Sequence, residues 1–128
     1  MPRLDRDPHT EGPVVQAFSG AGYRVDTSHF SGGIKLTPRA ATAWDATDVD
    51  QLVPEDLDDL LALDPAPEFI LLGTGPTLRR PKPALVRHVE ARGIGLEVMD
   101  SRAAARAWAV LRAEDRWIAA ALLPHGQE

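Results

Sequence analysis

Gly73-Thr74-Gly75 stands between an apolar run and a helix-like segment. A glycine-rich loop in that position can wrap backbone N–H groups around a phosphate. The spacing argues against a dinucleotide fingerprint, because Leu78 stands where the third glycine belongs. No Gly-Lys-Ser/Thr follows, so it is not a nucleoside triphosphate loop. Two readings stay open: a tight turn using positive φ, or a loop that binds an anion or a peptide. Arg79, Arg80 and Lys82 come next, and Arg102 and Arg106 lie farther on. Arginine's planar fork suits carboxylate or phosphate. If these side chains converge beyond the carboxyl ends of parallel strands, where open α/β sheets collect ligands, they form an anion-binding edge.

Asp100 has two readings, a catalytic carboxylate or a helix N-cap, and the cap needs no further assumption. A general base normally has a positioned partner, and no histidine is near Asp100 in sequence. His9, His29, His88 and His125 are scattered and form no ligand pair at helical spacing, so no metal site is expected. Ser19, Ser28, Ser31 and Ser101 do not sit in a nucleophile elbow. The chain has no cysteine, which excludes disulfides, thiolate metal sites and cysteine nucleophiles. No catalytic residue and no cofactor are expected.

The elements that must position these residues read as follows. Val14 to Phe18, Tyr23 to Val25 and Ile34 to Thr37 are strands separated by glycine turns. Ala40 to Ala46 is ambiguous, with Trp44 a packing anchor. Pro54 opens a short helix whose Leu57, Leu60 and Leu61 face inward while Asp58 and Asp59 face water. Phe69 to Leu72 is a continuous apolar run, the pattern of a strand buried on both faces. A helix from near Pro83 carries Leu85, Val86 and Val89 inward and stops at Gly93. Ile94 to Met99 is a strand. Asp100 then starts a helix with Ala104, Ala107, Trp108 and Leu111 on one stripe, and Trp117 to Leu123 is a last strand. The predicted class is α/β: a three-layer single domain with a mixed central sheet. Antiparallel β elements occupy the first third and βαβαβ the second half. The expected boundaries are a leader over 1–12, one domain over 13–123 and a tail over 124–128.

At 128 residues the chain suits one domain with a sizeable core. Charge is uneven: residues 1–68 carry 13 acidic and 5 basic side chains, whereas residues 69–128 carry 6 acidic and 9 basic. That asymmetry reads either as ordinary solvated faces or as a basic patch for an anionic partner. The net charge of −5 argues against bulk nucleic-acid binding. No apolar run nears the ~20 residues of a membrane span, so no membrane insertion is expected, and the cytoplasm is the expected compartment.

Four segments then carry a resemblance: Phe69 to Gly75, Arg92 to Asp100, Val110 to Glu114 and Trp117 to Ala121. Ser31-Gly32-Gly33, Trp44 and Pro54 to Leu57 are compatible with it. Together they resemble a domain-of-unknown-function family that includes a mitochondrial complex I assembly factor and an adipogenesis-associated protein. The resemblance implies a three-layer fold with a mixed sheet, no accepted reaction and no accepted cofactor. Relatives often carry Arg-Thr-(Tyr/Phe)-Asn in the last helix, where this chain has Arg106-Ala107-Trp108-Ala109. Two polar side chains of that run are therefore missing here.

The expected function is a binding or accessory domain with a protein partner, assisting assembly of a complex of respiratory type. The alternative is a binder of, or enzyme acting on, a small anionic ligand. Its candidate residues are Gly73, Thr74, Gly75, Arg79, Arg80, Asp100, Arg102 and Arg106. A deep pocket joining Thr74, Arg79 and Asp100 favours the alternative; a shallow apolar patch favours the accessory role.

Overall fold

A computed structural model describes residues 12–126, so the expected leader lies almost wholly outside the described residues. Three short strands come first: β1 (Val15–Ser19), β2 (Gly22–Val25) and β3 (Ser28–Phe30). They form an antiparallel sheet in chain order. β3 was not expected. Ser28-His29-Phe30 has no apolar alternation, and it is a strand because it pairs with β2, Phe30 opposite Tyr23.

The second sheet has five strands in the order β5-β4-β8-β6-β7. β4 (Gly33–Leu36) and β5 (Ala41–Trp44) form an antiparallel pair, which resolves the ambiguous segment as a strand. β4 also runs antiparallel to β8 (Ala119–Leu122). β6 (Phe69–Gly73) is parallel to both β8 and β7 (Gly95–Met99). The mixed sheet and the βαβαβ second half are as the apolar pattern predicts.

Helices cover this sheet on both faces. Pro54–Leu57 is a 3-10 turn running into α1 (Asp58–Leu61). α2 (Pro83–Glu90) connects β6 to β7, and α3 (Ser101–Ala113) connects β7 to β8. Because side chains alternate along a strand, each central strand feeds two cores. Ile70 and Leu72 of β6 join Leu57, Leu60, Leu61, Leu85 and Val89 in one. Leu71 joins Tyr23, Ile34, Ala104 and Trp108 in the other. The three-stranded sheet lies over the second core, where Trp108 Nε1 donates to Pro13 O at 3.1 Å.

Two helix faces differ from their predicted positions, α2 by narrowing and α3 by rotation. On α2, Leu85 and Val89 are buried but Val86 is only half-buried, because the apolar stripe is narrower than the three residues suggest. On α3 the buried positions are Ser101, Ala104, Ala105, Trp108 and Arg112, with Ala107 and Leu111 at the margin. Trp117 precedes β8 and is half-buried; its Nε1 donates to Pro65 O at 2.7 Å, and Arg39 lies over its ring. The residues expected as a tail begin inside the packing. His125 is 4% exposed and its N–H donates to Ala21 O at 2.9 Å; just before the tail, Tyr23 Oη donates to Leu123 O at 2.6 Å.

Candidate functional site

β6 and β7 end side by side, and their connections leave toward opposite faces of the sheet, through α2 and α3. This is the place where open α/β sheets form a ligand crevice. Here the chain itself closes it. Thr74 N donates to Met99 O at 2.9 Å and Gly75 N donates to Ser101 Oγ at 2.8 Å, while Ser101 N returns a bond to Gly75 O at 2.8 Å. The Thr74 hydroxyl donates to Thr77 O at 2.7 Å and accepts from Arg79 N at 3.0 Å. Asp100 caps α3, its Oδ1 accepting from Ala103 N at 2.9 Å.

The two glycines have separate reasons. A Cβ on Gly73 would lie 2.7 Å from Ser101 Oγ and 2.9 Å from Ser101 Cα, so the first turn of α3 packs onto bare backbone. Gly75 has φ +108°, a conformation that a side chain would oppose. The loop N–H groups of Thr74 and Gly75 point into the protein rather than around an anion.

Thus Gly73, Thr74, Gly75 and Asp100 come together, and the arginines divide. Arg79 donates to Asp48 Oδ1 at 3.3 Å and to Asp50, on the α2 face. Arg102 and Arg106 belong to α3, their guanidinium carbons 5.0 and 5.9 Å from the Phe18 ring centre. Arg102 Nε also donates to His125 Nδ1 at 3.1 Å. Arg80 is exposed and lines a groove.

That groove has a volume of about 690 Å³. Leu78, Pro81, Pro83, Val86 and Val98 line it, with Arg80 and Arg87. Leu78 is 63% exposed, an apolar side chain held in water beside two cations. Sequence reasoning missed Leu78, Val86, Arg87 and Val98 as site residues. The readable signal was Leu78 itself, a lone leucine between Thr77 and Arg79 in an otherwise polar loop. Among the described residues, no group of three or more His, Cys, Asp or Glu side chains is placed to hold a metal ion. No helix of the described residues is long and apolar enough to cross a membrane.

Residues 15–123 match the family described as Protein of unknown function (DUF498/DUF598). The chain belongs to this family. Among its curated relatives, NADH dehydrogenase [ubiquinone] 1 alpha subcomplex assembly factor 3 of Xenopus tropicalis is 28% identical over 95% of this chain. The chain spans 66% of that frog protein and 60% of its Bos taurus counterpart. An uncharacterised protein of Rhodobacter capsulatus is 30% identical, with 93% of this chain and 91% of the relative aligned. The family fold is also seen in solved structures. A Bordetella parapertussis crystal structure matches with TM-score 0.82 and 34% identity, covering 91% of this chain and 99% of the other. A Bordetella pertussis solution structure described as a Mth938-like domain matches with TM-score 0.83 and 26% identity, covering 100% and 94%. The resemblance first carried by Phe69 to Gly75 and Arg92 to Asp100 is therefore a family relationship.

Proposed function

We propose that this chain is an accessory binding module that works from the cytoplasm and assists assembly of a multi-subunit complex of respiratory type. It does so by holding a protein segment rather than by catalysing a reaction. The observation that carries this reading is the groove: its lining is apolar and open, with Leu78 63% exposed and two arginines beside it. Partner sites of this kind join an apolar centre to charges that orient the approach. The names of the curated relatives agree with an assembly role. A small anionic ligand at the carboxyl edge has less support. Thr74, Gly75, Arg79 and Asp100 each already hold a partner within the protein.

The test is deletion of the gene in its host. Assembled NADH:quinone oxidoreductase is followed on native gels, and NADH oxidation is measured in isolated membranes. The expected result is a deficit of assembled complex, restored by the wild-type gene. Unchanged complex and unchanged oxidation would overturn the assembly role.

A further inference from the structure

β7 is the last strand of the five-stranded sheet. Its hydrogen-bonding sides can be assigned. Gly95 N donates to Glu68 O at 3.3 Å and Met99 O accepts from Thr74 N, so the polar groups of Gly95, Glu97 and Met99 turn toward β6. Successive residues of a strand alternate in this direction. The N–H and C=O groups of Leu96 and Val98 therefore turn outward, at an edge that pairs with no other strand among the described residues. Exposed strand edges are templates for a further strand, and folds usually blunt them with charge, proline or a covering element. On β7 the one charged residue is Glu97, which lies on the α3 face, whereas Leu96 and Val98 face the α2 core. On the α2 side the edge opens directly onto the Leu78–Val86–Val98 groove, since Val98 belongs to both.

We infer that the outer edge of β7 and the adjoining groove form a docking site for an extended partner segment. The segment adds as a sixth strand, its α2-facing side chains apolar at the centre and acidic at the flanks. This inference rests on the binding-module reading above and specifies its partner. Backbone bonds to Leu96 and Val98 supply sequence-independent affinity, and alternate side chains entering the groove supply specificity. Arg80 and Arg87 select the sign: carboxylates beside them are favoured and lysines opposed. The same cations disfavour a second copy of this chain, because a two-fold interface sets one patch against itself and so brings arginine toward arginine. A docked helix is disfavoured too, since it would leave the outward backbone groups of Leu96 and Val98 without a strand partner.

The experiment uses the full chain and a labelled synthetic peptide of about seven residues, the length of an ordinary strand. Threonine occupies one face, and glutamate, valine, valine and glutamate occupy the other. Fluorescence anisotropy should show saturable binding below about 1 mM. A lysine-for-glutamate peptide, and one N-methylated along its bonding edge, should bind at least about tenfold more weakly. On the protein side, Arg80→Glu/Arg87→Glu should weaken the glutamate peptide and strengthen the lysine one. Val98→Pro should abolish binding by removing an outward N–H that the β6 ladder does not use. If Val98→Pro fails to fold, the N-methylated peptide probes the same bond on the unaltered protein. Absence of binding up to about 1 mM, or equal binding by the N-methylated peptide, would overturn the inference. So would a dimer, seen by sedimentation, that Val98→Pro dissolves, because the occupant would then be a second copy. Because the deletion phenotype is scored without any peptide, failure here leaves the assembly role standing, and failure there leaves the edge site standing.

Discussion

Ser101 is fully buried, and its position explains why the loop before it is built from glycine. Its Oγ accepts the Gly75 N–H and its Cα approaches the Gly73 backbone. Replacing Gly73 with alanine would press a methyl group against atoms of α3, one of them main-chain, which cannot rotate away. The expected cost is about 1–3 kcal/mol by the usual range for overpacking, measured as a lower urea midpoint at constant slope. A midpoint equal to wild type would mean that α3 can shift outward without loss. The same residues show how far sequence reasoning reached. Two glycines flanking a threonine allowed a turn with positive φ or a binding loop, and Asp100 a helix cap; Gly75 takes φ +108°, Gly73 ends β6, and Asp100 caps α3. The destination of the loop N–H groups was not legible, because Ser101 becomes their neighbour only when β7 pairs with β6. The arginines were legible as cations but not as partners of Asp48, Asp50 and Phe18, all distant in sequence.

Among the elements, those with strong internal pattern were readable and those made by pairing were not. Phe69 to Leu72 is apolar throughout because β6 is covered on both faces, and that run reads as a strand buried on both faces. β3 and β5 are short and mixed in polarity, and each exists because a neighbouring strand supplies its hydrogen bonds. Val86 read as core because it adjoins Leu85, yet the α2 stripe leaves it in the groove wall. One tertiary bond ties the small sheet to the end of β8: Tyr23 Oη to Leu123 O, with Tyr23 0% exposed. Burial pushes the phenol up to about 12, against the lowering influence of a hydrogen bond with Ser101 and the charge of Arg102. In the unfolded chain the phenol titrates near 10. Below pH 10 both states hold the proton and this group adds no pH dependence. Between 10 and 12 the unfolded state loses its proton first, so stability falls by about 1.4 kcal/mol per pH unit. Tyr23 is the only tyrosine in the chain, so phenolate absorbance reports this group alone. Tyr23→Phe should remove this group's share of the alkaline slope, and a wild-type phenol titrating near 10 would show that the ring does not stay buried in solution.

At the scale of the whole molecule, two cores share one sheet, and that sharing constrains how the protein can come apart. β6 sends Ile70 and Leu72 to one side and Leu71 to the other; β8 sends Ala119 and Ala121 one way and Ala120 and Leu122 the other. Neither layer can lose its packing without exposing residues of strands that support the opposite layer. A domain with two separable cores would melt in two steps, whereas one built on shared strands should melt in one. The tryptophans are placed to distinguish these cases. Trp44 belongs to the α2-side core, 8% exposed, and Trp108 to the α3-side core, 1% exposed. Single-tryptophan variants retaining Trp44 or Trp108, the others replaced by phenylalanine, should give coincident denaturation curves when each is compared with its own circular dichroism transition. Comparing probes within each variant removes the stability cost of the replacements themselves. A Trp108 transition that precedes the loss of secondary structure would mean that the β1–β3 sheet and α3 detach as a unit. In that event the Tyr23 bond to Leu123 O would be the first to open, since it joins that layer to the rest of the chain, whereas the Trp108 bond to Pro13 O lies within the detaching unit.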